Sequence, residues 1–129
     1  MRALETALTV ERYAIYWVDL NPVRGSELAK LRPAVVVSDN AMNAALETVV
    51  VCPMTTRLHP SWPSRVQVDL PNKTGEIAVD QIRTVSRTRI KDRVGCLSAS
   101  TAAELRHVIT EMYGVLSVSD EDAPPEIQQ

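Results

Sequence analysis

The chain has 129 residues, 45% of them hydrophobic, and a formal net charge of −2, a size that gives one domain with one modest core and argues against a second. No apolar run approaches the roughly 18 residues needed to span a bilayer, and the start, Met1-Arg2-Ala3-Leu4-Glu5, lacks the basic-then-apolar layout of a signal peptide; the expectation is a soluble, cytoplasmic protein without a membrane partner. Cys52 and Cys96 have neither metal-ligand spacing nor the density of a disulfide scaffold, so both are expected as buried thiols.

Ala14-Ile15-Tyr16-Trp17-Val18-Asp19-Leu20 is rich in β-branched and aromatic residues and ends at the turn signal Asn21-Pro22; it is the first predicted strand. Pro33 disfavours helix at Arg32 and leads into Ala34-Val35-Val36-Val37, an apolar run suited to a buried strand. Ser38-Asp39-Asn40 offers an N-cap for a short helix over 41–46, after which Thr48 to Cys52 resumes as strand. Pro53 cannot donate a ladder hydrogen bond, so a bulge or a sheet edge is expected there, turning Thr55 and Thr56 out of the sheet. Beyond the loop His59-Pro60-Ser61-Trp62-Pro63, Arg65 to Leu70 alternates like a half-buried antiparallel strand. Pro71 to Gly75 reads as a turn, and short strands are expected at Glu76 to Val79, Gln81 to Val85 and Arg93 to Leu97.

From Thr101 to about Leu116 the period changes. Leu105, Val108, Ile109, Met112, Tyr113 and Leu116 mark one amphipathic helix, with Thr101-Ala102-Ala103-Glu104 as a capping box. The tail, containing Pro124-Pro125, and the first ten residues are expected to be flexible (1–10 and 118–129) around a core of about 13–117. The pattern alone gives five to seven short strands, mainly antiparallel, closed by a C-terminal helix.

The small net charge hides an uneven distribution. Most cations lie between Arg24 and Arg93, whereas the segment after Cys96 has Arg106 against Glu104, Glu111, Asp120, Glu121, Asp122 and Glu126. Screening over about 8–10 Å lets a local basic field attract phosphate despite a distant acidic tail; the alternative is that these charges only solvate strand faces.

Chemistry concentrates between Asp19 and Arg57. A polar loop carrying Arg24, Glu27 and Arg32 joins two strands, and Met54-Thr55-Thr56-Arg57 follows the next apolar run. The stretch Trp17-Val18-Asp19-Leu20-Asn21-Pro22-Val23-Arg24-Gly25-Ser26-Glu27, then Arg32-Pro33-Ala34-Val35-Val36-Val37-Ser38, resembles the MazF/PemK family of toxin endoribonucleases over roughly Ile15 to Val115. The resemblance implies an SH3-like antiparallel β-barrel that pairs as a homodimer. It also implies the toxin of a type II toxin–antitoxin system, cleaving single-stranded RNA, mRNA in particular, in a sequence-specific way without metal or cofactor. In that chemistry the RNA's own 2′-hydroxyl attacks, leaving a 2′,3′-cyclic phosphate and a 5′-hydroxyl. A MazE-like antitoxin with an acidic, flexible segment is the implied partner.

Residue by residue, Arg32 matches the family's catalytic arginine and presents a planar donor fork to phosphate oxygens. Thr55 matches its catalytic threonine, with a hydroxyl able to donate to a non-bridging oxygen or to position the 2′-hydroxyl. Glu27 matches the Gly-x-Glu glutamate and either orients Arg32, takes the 2′-hydroxyl proton, or forms a loop-to-scaffold salt bridge. Arg24, Thr56, Arg57, Asp80, Gln81 and Arg83 are candidate substrate-binding residues, Asp80-Gln81-Ile82-Arg83-Thr84 matching a strand beside the family's RNA groove. Asp80 and Gln81 can read the edges of unstacked bases or can serve as a hydrogen-bonded pair fixing strand ends.

His59 is a minor candidate for acid–base assistance, Trp17 is expected in the core, and Trp62 is open as a platform for a base or a partner's side chain. Two positions depart from the family: Ala78 stands where one branch has a catalytic arginine, and Tyr13-Ala14 replaces a Gly–acidic pair at the entry to the first strand. A CcdB-like gyrase poison on the same fold and a non-catalytic SH3-like module are the competing readings. The chain ends Pro125-Glu126-Ile127-Gln128-Gln129, without the terminal tryptophan motif of the former.

Overall fold

The computed structural model describes residues 9–22, 25, 27–70 and 72–114. Seven strands form one antiparallel sheet: β1 (Ala14–Asp19), β2 (Leu31–Val36), β3 (Thr48–Thr55), β4 (Arg65–Leu70), β5 (Lys73–Ala78), β6 (Arg83–Ser86) and β7 (Ile90–Cys96). A short helix, α1 (Asn40–Ala45), lies between β2 and β3, and α2 (Ala99–Tyr113) follows β7. The order is β4-β5-β3-β2-β1-β7, with β6 paired to β3. The strand count, the antiparallel pairing and the C-terminal helix agree with the sequence pattern, and the sheet curls into a half-barrel, in line with the barrel that the family resemblance implies.

The central strands are apolar on both faces because both are covered. Ile15, Val35, Cys52, Met54, Val66 and Ile77 form one core with Ala102 and Leu105 of α2. Tyr16, Val18, Ala34, Val36, Val49, Val51 and Val85 form a second on the opposite face. Odd and even positions of each strand therefore serve different cores, which explains the unbroken run at Ala34–Val37.

Pro53 corrects one expectation. It forms neither a bulge nor an edge: β3 continues through it, with Ala34 opposite Pro53 on one side. On its other side β3 changes partner, pairing with β6 over Thr48–Val51 and with β5 at Met54 and Thr55. Pro53 falls between the two ladders, where no N–H is needed. Thr55 consequently stays in the sheet, opposite Glu76, and only Thr56 lies beyond it.

Other boundaries also shift. β5 begins at Lys73, so Gly75 is a strand residue opposite Val68 and not part of the turn. Gln81 ends a 3₁₀ turn over Val79–Gln81 instead of opening a strand, and β7 starts at Ile90. Cys96 is exposed while Cys52 is buried; burial, then the nearby Asp80 charge, pushes the Cys52 thiol up to about 12. Val10 is buried in the second core, against the expectation of a flexible segment through residue 10. The rest of that segment up to residue 8, Leu116 and the tail lie outside the described residues.

Helix α2 begins earlier than its predicted capping box. Ser98 is the N-cap, its Oγ accepting from the Thr101 N–H at 3.2 Å, and Gly114 at φ 110° ends the helix. Ser98→Ala should therefore lower stability by about 1 kcal/mol in denaturant melts, whereas Thr101→Ala should stay within about 0.5 kcal/mol. The turn into β1 passes through Tyr13 at φ 70°, a left-handed conformation that favours glycine. The Tyr13 N–H donates to Val36 at 2.7 Å, its carbonyl accepts from Leu97 at 2.9 Å, and its ring packs on the first core. The turn thus survives loss of the glycine.

Candidate functional site

A cleft of about 270 Å³ opens where the first core reaches the surface, lined by Trp17, Lys30, Leu31, Arg32, Pro33, Met54, Thr55, Thr56, Leu70, Lys73 and Gly75. Five strands contribute, with Leu70 ending β4. Trp17 on β1 faces Pro33 on β2, with Arg32 opposite Val18; Thr55 ends β3; Lys73 and Gly75 belong to β5. Gly75 sits close to β4: a Cβ there would stand 3.1 Å from Leu70 Cδ1, which would have to shift by a few tenths of an ångström.

Arg32 and Thr55, far apart in sequence, share this cleft. Arg32 is half-buried and its Nε donates to the Ala29 carbonyl at 2.8 Å, which anchors the guanidinium by one nitrogen. The Thr55 Oγ1 accepts from the Arg57 N–H at 3.1 Å. One acceptor site is thereby occupied by backbone, and the hydroxyl proton is left as a donor. Thr56 also lines the cleft, whereas Arg57 is exposed and contributes its backbone to Thr55.

The other sequence-predicted residues are placed elsewhere. Glu27 is exposed on the loop between β1 and β2 and is not among the cleft-lining residues; Arg24 lies outside the described residues. The Asp80 carboxylate takes Arg65 Nε at 2.8 Å. Gln81 Oε1 accepts from the Leu28 N–H at 2.7 Å and from Arg83 Nη2 at 3.3 Å, tying that loop to the 3₁₀ turn. Arg83 lines a separate hollow with Asp19, Asn21 and Arg89. Asp80 is thus bonded to Arg65, and Gln81 to Leu28 and Arg83, and the two do not form the hydrogen-bonded pair with each other that the sequence offered beside base reading.

Trp17, Lys30 and Lys73 are among the cleft residues that sequence reasoning did not place at the site. Trp17, expected in the core, is 40% exposed; alternation puts it on the face of Ile15, but the core stops short of it. Lys30 and Lys73 belong to no motif, and only the pairing of β5 with β3 brings Lys73 across from Arg32's strand. Lys73→Ala should weaken binding of single-stranded RNA and lower its log–log salt slope by about 0.7, measured by fluorescence titration across salt concentrations.

Behind the cleft, the β3–β4 loop is pinned to the sheet. Glu76, wholly buried, accepts from Arg65 Nη1 at 2.6 Å, from Gln67 Nε2 at 2.6 Å and from the His59 N–H at 2.7 Å. Burial alone would raise the Glu76 carboxyl; the hydrogen bonds from Gln67, His59 and Arg65 outweigh it and hold the group below its ordinary value. Asp80 is lowered in the same way, mainly by Arg65 acting against its burial. Trp62 stacks on His59 with centroids 3.8 Å apart, and the Arg65 guanidinium lies 4.7 Å from the Trp62 ring centre. His59 and Trp62 thus engage each other. Among the described residues no group of three or more His, Cys, Asp or Glu is placed to hold a metal ion, and no helix is long and apolar enough to cross a membrane.

Residues 11–113 match the family model described as PemK-like, MazF-like toxin of type II toxin–antitoxin system. The chain is 29% identical over 119 residues to the Endoribonuclease MazF of Staphylococcus saprophyticus, covering 88% of this chain and 99% of that protein. Among solved structures it resembles MazF from Deinococcus radiodurans, with a TM-score of 0.74, 25% identity and coverage of 83% of this chain and 98% of that one. It also shares the fold of a mycobacterial endoribonuclease solved with its cognate antitoxin, at a TM-score of 0.64 and 23% identity over 80% of this chain and 91% of that chain. The family match spans both strands that carry Arg32 and Thr55, and the chain belongs to the PemK-like, MazF-like toxins of type II toxin–antitoxin systems.

Proposed function

We propose that the cleft is the RNA-cleaving site of a sequence-specific, metal-independent endoribonuclease acting on single-stranded RNA. The observation that carries this reading is the convergence of Arg32 and Thr55 on one cleft, flanked by Lys30 and Lys73, in a chain whose relative is named an endoribonuclease. The substrate's 2′-hydroxyl oxygen attacks the adjacent phosphorus, the bond to the 5′-oxygen breaks, a 2′,3′-cyclic phosphate remains, and the departing 5′-oxygen takes a proton from solvent to leave as a hydroxyl. Arg32 stabilises the charge that builds on the pentacoordinate phosphorane, since a guanidinium stays protonated and is a poor proton acceptor. Thr55 donates its free hydroxyl proton to a non-bridging oxygen. Glu27, an exposed carboxylate on the loop leading to Lys30 and outside the cleft lining, is proposed to orient Arg32 or to take the 2′-hydroxyl proton once RNA is bound.

A cleft of this size suits about one nucleotide, so neighbouring bases are read by the surrounding loops. Trp17 and Leu31, both exposed, offer apolar surface at its rim for an unstacked base. A homodimer and a cytoplasmic setting belong to the same proposal: a barrel this small leaves apolar side chains such as Val94 for a second copy to cover. The antitoxin partner is inferred from relatives solved as MazE–MazF complexes, an acidic segment being complementary to Lys30, Arg32 and Lys73. The test is incubation with long single-stranded RNA in excess EDTA, mapping the 5′ ends. Discrete cuts bearing 5′-hydroxyls are expected; metal-dependent cuts or 5′-phosphates would exclude this chemistry.

A further inference from the structure

Resting on that reading, we infer that the buried Glu76–Arg65 pair is a positioning device for Thr55, acting through the backbone of the loop that follows it. Glu76 sits in β5 beside Ile77 and Ala78, all fully buried. A carboxylate there is unfavourable unless fully paired, and exchanging a buried ion pair for apolar groups often leaves stability unchanged or higher. Stability alone therefore does not account for a charge at this position. An apolar residue, however, could not accept the His59 N–H, which Glu76 takes at 2.7 Å.

The loop is consequently held at both ends. Thr55 is fixed in the ladder opposite Glu76, and His59 is fixed to the Glu76 carboxylate. Between them the Arg57 N–H is aimed at Thr55 Oγ1, 3.1 Å away, which orients the hydroxyl and leaves its proton as donor. Arg65 holds the carboxylate in place through Nη1 and is itself held by Asp80 through Nε. Trp62 covers the assembly, stacked on His59 and close to the Arg65 guanidinium. Glu76 and Arg65 touch no cleft residue's reacting group in this scheme; they are positioning residues, and Thr55 is the catalytic one.

Two variants test the inference, Glu76→Gln and the apolar pair Arg65→Met with Glu76→Leu. Each is read by kcat and KM on a short RNA and by hydrogen exchange of the Arg57 amide. The double variant is expected to stay folded with a lowered melt, because Gln67, His59 and Asp80 lose partners, to lose about tenfold or more in kcat with KM within about twofold, and to exchange the Arg57 amide about tenfold faster. Glu76→Gln should fall between it and the native chain, because Gln still offers an oxygen to His59. A folded double variant with native kcat, or with unchanged Arg57 protection, would overturn the inference. If the native protein cuts no RNA, the ribonuclease reading fails, and Arg57 exchange still decides whether Glu76 holds the loop.

Discussion

Replacing Arg32 by alanine should lower kcat for single-stranded RNA by about 10²–10³-fold while leaving the fold intact, the range seen when one preorganised donor to a developing negative charge is removed. The fold should survive because the side chain is tied down by a single hydrogen bond among the described residues, Nε to the Ala29 carbonyl, at a half-buried surface site outside both apolar cores. Arg32→Lys is the sharper comparison. It keeps the charge but loses the fork, whose Nε anchors to Ala29 in a residue that lines the cleft. Lysine should recover RNA binding more fully than kcat. Equal recovery of both would reduce Arg32 to a phosphate-attracting charge, and loss of the native melt in either variant would make it structural.

Much of this architecture was legible because it rests on local periodicity and turn chemistry. The two-core alternation of β1–β3 and the apolar stripe of α2 follow from residue spacing, and Arg32 and Thr55 from motif position. What was not legible depends on long-range pairing. Pro53 is tolerated inside β3 because β6 stops and β5 begins beside it, a fact that no window of sequence contains. Trp17 has a core composition and a core face, yet it emerges at the cleft because the barrel is open there. Lys73 became a cleft residue only through the β5–β3 pairing, and Asp80 and Gln81 found partners, Arg65 and Leu28, from distant segments.

The second large effect concerns Arg65. Arg65→Ala should destabilise the protein by about 3–5 kcal/mol at neutral pH, because it strands a wholly buried carboxylate without its counter-charge. For a domain whose total stability is about 5–15 kcal/mol, that places the variant near unfolding, and a urea melt would show it directly. The pH dependence separates charge from packing. In the native chain Glu76 and Asp80 are both lowered, so their contribution is present above the unfolded carboxylate range near 4 and is lost as pH falls through their folded values. Without Arg65, burial of Glu76 is opposed only by the hydrogen bonds from Gln67 and His59, so its pKa rises from the native value and the variant has less stability to lose than the native chain as Glu76 takes a proton. The deficit of Arg65→Ala should therefore shrink as pH falls from the variant's Glu76 value toward the native one. A deficit that stays constant over that range would assign the loss to the contact between the Arg65 guanidinium and the Trp62 ring, not to the ion pair.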